Sequence, residues 1–336
     1  MGHKHFYSNG KLLITGEYLV IKGALALAVP CAMGQEMIVK IEQGTCLDPS
    51  ADKPIVNPKP SEEQNPEYKD KGSIRWKSFY DKKCWFDATF MLPGLEVVTA
   101  SNNRTAAYVQ KLMIEAIKLN PENIDEQSHY LIENLLEFSP DWGLGSSSSL
   151  ISNIAAWFGI DTYTLYGKLH KGSAYDIACA RAKGPIWYSK LPGQPVIRHI
   201  DFNPGFAYNL AFVYSGQKQD SELSVGSFLE NIIVNAEDIE RISAISQALP
   251  MAKTLRKFDA LINEHEKIMS RVLGKPSVKS VRFADFPGSI KALGAWGGDF
   301  LLASSEIGFD KIKMYFSKQG LDIVFNWKEM VMNPME

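Results

Sequence analysis

The chain has no uninterrupted apolar run approaching the ~18 residues that a membrane-spanning helix needs, so nothing in it is expected to cross or sit in a membrane. It has no excess of positive charge either. Its 36 Lys and Arg against 38 Asp and Glu leave a net charge of −2, which offers no footprint for nucleic acid or another polyanion. There is no C-x-x-C pair and no His at zinc-ligand spacing, because Cys31, Cys46, Cys84 and Cys179 are widely scattered. That usage suits a reduced, cytoplasmic protein. The first residues include His3, Lys4 and His5 but no apolar core of a signal sequence. No internal repeat is present, and nothing chooses between a monomer and a homodimer.

What is present is ordinary for a globular protein: 45% hydrophobic and 22% charged residues over 336 positions. This length exceeds what one core usually supports, so two domains are expected. The proline- and glycine-punctuated stretch holding Pro192, Gly193, Pro195, Pro204 and Gly205 places their boundary near residue 200, giving segments 1–200 and 201–336.

Residues 3–8 and 11–15 read as strands joined across Asn9-Gly10, a favoured hairpin turn. Residues 35–41 read as a further strand. From Asp48 to Lys71, five prolines and mixed charges with almost no apolar residue predict a long exposed loop. Strand-like segments follow at 74–79 and 84–90. Thr99-Ala100-Ser101-Asn102-Asn103 caps a helix over 104–119, and His129–Phe138 reads as a strand. Helices are expected at 162–170, 222–233, 236–248, 251–272, 286–293 and 307–318, with strands at 210–214, 300–304 and 321–325. Strands and helices mix without strict βαβ alternation, which favours α+β layers.

The stretch Gly143-Leu144-Gly145-Ser146-Ser147-Ser148-Ser149 runs directly into Leu150–Phe158, whose apolar residues recur at helical spacing. A glycine loop opening onto a helix start offers unpaired N–H groups and the positive end of the helix dipole to an anion. Serine hydroxyls there can cap the helix, touch phosphate oxygens or ligate Mg²⁺. A plain glycine turn followed by redundant serine caps accounts for the pattern equally well. No Lys follows the last Gly, so it is not a Walker A loop. Taken singly, Lys11 and Glu17 read as solvated strand-edge charges, Asp176 as a first-turn acid complementing a helix dipole, and His170 as a helix-end cation.

Three separated motifs nevertheless occur in a fixed order. The first is Gly10-Lys11-Leu12-Leu13-Ile14-Thr15-Gly16-Glu17-Tyr18-Leu19-Val20; the second is Gly143–Ser147, with Pro140 nearby; the third is Gly294-Ala295-Trp296-Gly297-Gly298-Asp299. Together they resemble the signatures of the GHMP kinase superfamily (galactokinase and homoserine, mevalonate and phosphomevalonate kinases). Ser173-Ala174-Tyr175-Asp176 is similar to the S-G-x-D segment of mevalonate kinases. Tyr175-Asp176-Ile177-Ala178 followed by Trp187-Tyr188-Ser189 resembles phosphomevalonate kinases more closely.

The resemblance implies a two-domain α+β fold, with a ribosomal-protein-S5-like N-terminal domain, a ferredoxin-like C-terminal domain and an active site in the cleft between them. It implies ATP and Mg²⁺ as cofactors and mevalonate or phosphomevalonate as acceptor. A kinase for another small alcohol or sugar, or a non-catalytic relative that binds a ligand, are the alternatives. Carried over residue by residue, Asp176 is the base and Lys11 stabilises the transferred phosphate. Gly143, Leu144, Gly145, Ser146, Ser147 and Ser148 hold the nucleotide, with Ser147 as metal ligand. Glu17, Tyr18, Ser173, Gly294, Ala295 and Gly297 shape the acceptor side. Three positions depart from the pattern: Leu165 where mevalonate kinases carry a second metal-ligating Glu, Trp296 in place of a loop glycine, and Ala174 in place of the glycine of S-G-x-D.

Overall fold

A computed structural model describes residues 3–42, 71–191, 194–217, 228, 234–294, 296 and 298–332. Most of the expected loop from Asp48, the expected helix at 222–233 apart from Phe228, and Pro192-Gly193 lie outside the described residues. Among those described, no helix is long and apolar enough to cross a membrane. The chain divides into two compact units that interleave along it, so neither coincides with the segments 1–200 and 201–336. One comprises Met1–Tyr7, Gln35–Glu137 and Leu150–Leu169; the other comprises Ser8–Gly34, Phe138–Ser149 and His170–Glu336.

In the first unit, β3 (Ser73–Tyr80) pairs antiparallel with β4 (Lys83–Met91) and parallel with β6 (His129–Leu136). The edge strand β5 (Glu96–Ala100) flanks β4. On the other side of β6 runs the second half of β2 (Ala26–Glu42), from Gln35 onward. Along β6, Tyr130, Ile132, Asn134 and Leu136 alternate inward, the period of a strand with one buried face. Helix α1 (Asn103–Leu119) buries Ala106, Val109, Leu112, Met113 and Ala116, a stripe at helical spacing. Its start is fixed by Asn102, whose side chain accepts the Thr105 N–H at 3.0 Å. The unit also holds α3 (Thr162–Leu169), with Leu165 fully buried, and α2 (Ser146–Phe158) from Leu150 onward.

The second unit holds β1 (His3–Thr15) from Ser8, the first half of β2, β7 (Ile186–Ser189) and β8 (Val196–His199). A separate antiparallel sheet has the order β10 (Ser289–Leu293), β11 (Phe300–Ser304), β9 (Leu210–Tyr214), β12 (Val324–Phe325). Every residue of β10 and β11 is buried. Its described residues also include helices α4 (Tyr175–Arg181), α5 (Ala236–Ala248), α6 (Leu255–Leu273), α7 (Val278–Arg282), α8 (Phe309–Lys318) and α9 (Trp327–Met330). Ala211, Val213, Ile290, Ala292, Leu301 and Phe316 form part of one continuous core. Because Leu293 pairs with Phe300, the third motif is the loop of the β10–β11 hairpin.

Two local expectations are corrected. The Asn9-Gly10 pair is not a hairpin turn: β1 runs unbroken through it. Asn9 Nδ2 donates to Ala182 O at 2.8 Å, and a Cβ on Gly10 would lie 3.0 Å from both Leu144 O and Met33 O. Close backbone approach, not turn geometry, is what this glycine permits. The expected helix at 286–293 is strand β10 instead, since a short apolar run between Gly288 and Gly294 suits a buried strand equally well.

The opposite face of β9 gives a direct test of the packing there. Phe212 is fully buried, its ring 5.7 Å from that of Trp327. Phe212→Ala should cost about 3–5 kcal/mol, read as a fall in the denaturant midpoint. A change below about 1 kcal/mol would place Phe212 outside the core.

Candidate active site

The loop ahead of α2 is shaped by Gly143 (φ 69) and Gly145 (φ 97), both in the left-handed region. Its serines divide into two pairs. Ser148 and Ser149 are buried, and both hydroxyls donate to Gly145 O, at 2.9 and 3.0 Å, closing the loop onto the first helical turn. Ser147 is exposed and Ser146 half-buried. A Cβ on Gly143 would overlap the Asp299 carboxylate, and one on Gly145 would lie 2.9 Å from Lys11 Cγ.

Lys11 lies along this loop. Its backbone N–H donates to Leu144 O at 2.8 Å and its Nζ to Gly143 O at 2.7 Å. The same Nζ stands 5.9 Å from the centroid of the Tyr175 ring. Asp176 sits in the first turn of α4, its Oδ1 accepting the Ile177 N–H at 3.1 Å. Burial pushes its carboxyl above the ordinary range, and the charge of Lys11, the nearby N–H groups and His170 oppose that rise. Ser173, next to this helix, is buried, and its carbonyl accepts the Tyr188 hydroxyl. Ala174 adopts φ 64, ψ 19, a left-handed conformation that glycine takes freely and alanine does not. The departure from S-G-x-D therefore carries backbone strain.

The turn after β1 carries two more of the expected residues. Glu17 is only 4% exposed and accepts from Lys291 Nζ at 2.5 Å. Burial raises its carboxyl, but Lys291 and His265 outweigh burial and hold it below the ordinary range. Tyr18 has φ 60, strained for a side chain of its size, and its hydroxyl accepts the Trp296 N–H at 2.7 Å. The Trp296 indole N–H donates to Pro276 O at 3.3 Å. Gly294 (φ 82) opens the third loop and Gly298 (φ 64) precedes Asp299; Ala295 and Gly297 lie outside the described residues. Ser215 Oγ donates to Gly298 O at 2.7 Å and anchors the loop's end to β9.

All three motifs and Asp176 fall within one compact unit. Lys11 ties the first motif to the second, Asp299 packs on Gly143 to tie the third to the second, and Tyr18 with Trp296 ties the first to the third. Two grooves of about 390 and 320 Å³ in the same unit hold no motif residue and are lined largely by charged and polar side chains of α5, α6 and α7. Leu165 is fully buried, so the position where the resemblance expects a metal ligand is apolar core. No cluster of three or more His, Cys, Asp or Glu among the described residues could hold a metal.

No protein-family model matches the chain, and no curated protein matches it by sequence. Solved structures do. Streptococcus pneumoniae phosphomevalonate kinase, in complex with phosphomevalonate and AMPPNP, aligns over 96% of this chain and 99% of its own, with TM-score 0.66 and 16% identity. L. major mevalonate kinase in complex with R-mevalonate aligns over 96% and 94%, with TM-score 0.61 and 14% identity. Lactococcus lactis galactokinase complexed with galactose aligns over 98% and 93%, with TM-score 0.64 and 11% identity. The chain has the GHMP kinase fold. Its mixed α+β architecture is matched almost end to end by these GHMP kinases, in agreement with the fold expected from the motifs.

The residues that sequence reasoning missed are Lys291, His265 and Glu266, which surround Glu17. Their signal was a break in pattern: a lone Lys inside the apolar run of β10, and a His in phase with Leu261, Ile262, Ile268 and Met269 on the buried face of α6.

Opposite outcomes are expected at two site positions of this GHMP fold. Gly143→Ala should destabilise the protein by roughly 1–3 kcal/mol, because φ 69 and the Asp299 carboxylate both reject a Cβ. Ala174→Gly should stabilise it by roughly 0.5–1 kcal/mol through relief at φ 64. Thermal or denaturant unfolding of both variants reads the two signs, and a destabilised Ala174→Gly would refute the strain.

Proposed function

We propose that this chain is an ATP-dependent small-molecule kinase that phosphorylates mevalonate or phosphomevalonate. The observation that carries the reading is Lys11, which donates to the glycine loop while its charge acts on Asp176. Such a contact joins the place where a nucleotide's phosphates would rest to the group that would face the acceptor. Phosphoryl transfer asks mainly for alignment and neutralisation of charge, so a preorganised amide cradle with a fixed cation supplies much of what is needed.

In this reading the N–H groups of residues 143–147 and the start of α2 bind the ATP phosphates. Lys11 neutralises charge as the phosphoryl group moves, and Asp176 takes or orients the acceptor's proton. The loop fits Mg²⁺ as well. Asp299 packs against Gly143, and a carboxylate beside a nucleotide's phosphates repels them unless a cation lies near both. Ser147, exposed at the helix start, and Asp299 are the residues that would hold the ion, which when bound shields the phosphate oxygens. Tyr18, Ser173 and the third loop shape the acceptor side.

A second reading, a non-catalytic GHMP relative that binds a ligand, is favoured by the apolar Leu165 at the expected metal-ligand position. Turnover separates the two. An ATP-consumption screen over mevalonate, phosphomevalonate, homoserine and galactose should find turnover with one of the first two. Measurable ATP binding without turnover on any acceptor would establish the second reading.

For an alcohol acceptor, Asp176→Asn should lower kcat by about 10²–10⁴. For a phosphate acceptor, which is already ionised near neutrality, the loss should stay within about tenfold.

The pH profile gives a signed test. Asp176 acts as a carboxylate, so kcat/KM should fall as pH drops through its raised pKa. Lys11 holds that pKa down, so Lys11→Met should move the acid limb of the residual activity to higher pH. A limb that stays put or moves to lower pH would separate Lys11 from Asp176. Ser147→Ala should raise the Mg²⁺ concentration needed for half-maximal ATP binding, and an unchanged requirement would remove Ser147 as ligand.

A further inference from the structure

Four ionisable side chains that this mechanism does not use meet behind the Gly16–Tyr18 turn. Glu17 comes from the turn itself, His265 and Glu266 from α6, and Lys291 from β10; they are 4%, 0%, 5% and 1% exposed. Lys291 Nζ donates to Glu17 Oε1 at 2.5 Å and to the carbonyl of Ala292 at 2.9 Å, with Glu266 Oε1 at 3.4 Å. His265 Nε2 accepts the Gly16 N–H at 3.2 Å and lies 3.1 Å from Glu17 Oε2. His265 Nδ1 lies 3.9 Å from Glu266 Oε1.

As a stability device this cluster is poorly made. Burying charge is costly, and a well-packed apolar set of the same volume is often at least as stable. Glu17 Oε2, Glu266 Oε2 and His265 Nδ1 are buried with no hydrogen-bond partner, an arrangement that calls for an explanation other than stability. What the cluster does achieve is geometric. It grips Gly16 through its N–H and Glu17 through its carboxylate, the two residues immediately before Tyr18. Tyr18 is held at φ 60, and its hydroxyl receives the Trp296 N–H of the third loop. Lys291 lies on β10, the strand that leads into that loop.

We infer that Lys291 and His265 are positioning residues for the acceptor side of the site: acting through Glu17 and Gly16, they hold the strained Tyr18 turn and, through the Tyr18 hydroxyl, the backbone of Trp296 in one fixed arrangement. The inference rests on the kinase reading for the word acceptor, but not for the coupling itself. It also gives Glu17 a role as the inner handle of the turn instead of a direct acceptor contact.

The test uses the full chain with four changes: His265→Leu, His265→Gln, Lys291→Met, and the double variant Glu17→Gln with Lys291→Met. The double variant removes two opposite charges together and guards against a Lys291→Met protein that fails to fold. In His265→Gln the amide oxygen can take the Gly16 N–H in place of Nε2. Hydrogen exchange is followed in peptides covering Gly16–Leu19, Trp296 and, as a control, the β9 strand. Steady-state kinetics use mevalonate and phosphomevalonate as probes, with ATP binding measured separately.

In His265→Leu and the double variant, exchange at Gly16–Leu19 and at Trp296 should accelerate together by about tenfold or more while β9 stays protected. KM for the probe that turns over should rise by about tenfold, with kcat and ATP affinity within about threefold of the parent, the signature of lost ground-state positioning. His265→Gln should stay close to the parent in every readout. Uniform acceleration that includes β9, exchange at Gly16–Leu19 without exchange at Trp296, or His265→Gln as damaged as His265→Leu would each overturn the inference. So would coupled exchange with an unchanged KM for a probe that turns over. Should the parent turn over neither probe, coupled exchange keeps the positioning link while the kinase reading falls, and uncoupled exchange ends the inference by itself.

Discussion

The site depends on one residue donating twice to consecutive carbonyls. Lys11 gives its backbone N–H to Leu144 O and its ammonium to Gly143 O, so strand β1 and the glycine loop have a single allowed register. An ammonium has three N–H bonds, and Gly143 takes one. The remaining capacity and the full charge are what the lysine brings to its surroundings. Those surroundings are selective. Burial pushes the Cys31 thiol up to about 12, and the Cys179 thiol and the Tyr175 hydroxyl well above their ordinary ranges. Asp176 is a neighbour of Lys11 whose ordinary ionisation lies on the acidic side of neutrality, and the lysine's charge opposes the rise that burial imposes on it. Buried thiols of this kind pack as small hydrophobes and add no chemistry.

Strain marks the same region. Tyr18 and Ala174 are non-glycine residues at positive φ; Tyr18 is itself an expected site residue next to Glu17, and Ala174 directly precedes the helix that carries Asp176. Such conformations persist only where the surroundings over-determine them. For Tyr18 the constraints are visible: His265 and Lys291 behind the turn, Trp296 in front, and α5 alongside, with Ser243 Oγ accepting the Leu25 N–H at 2.9 Å and Ser246 Oγ 2.7 Å from Thr15 Oγ1. For Ala174 they are the buried apolar cluster in which Ala178 and Cys179 of α4 pack with Leu13, Ala28, Ile186 and Tyr188. The methyl group at Ala174 is kept in a conformation that a glycine would adopt without cost.

How much of this could be read in the sequence depends on how local each signal was. Helix α5 falls at 236–248, as its periodicity predicts, and α1 starts at its Asn102 cap. The glycine–serine loop and its helix were legible because the turn, the cap and the first helical turn lie within a few residues of one another. Gly10 misled for the opposite reason: its glycine answers to Leu144 and Met33, far along the chain, and not to its neighbours. Strand β10 misled because five apolar-flanked residues carry too little periodicity to distinguish strand from helix. The division of four serines into two that close the loop and two at its rim also required coordinates, since all four are identical in sequence.

The least legible part is the ion cluster, and its distance along the chain explains why. Glu17 and Lys291 are separated by 274 positions, and Gly16 and His265 by 249. A phosphate cradle is made of backbone amides and a helix start, which any sequence with the right glycines supplies locally. Recognition of an acceptor cannot be built that way, because discriminating one small molecule from another requires side chains of particular shape and charge held at particular places. Those side chains converge from distant segments, and the groups that hold them converge from farther still. On the kinase reading proposed here, the nucleotide half of the site is written in a motif, while the acceptor half is written in the packing of β10 and α6 against one turn. On that reading, this asymmetry is why the motifs suggest a phosphate loop and leave the acceptor open between an alcohol and a phosphate group.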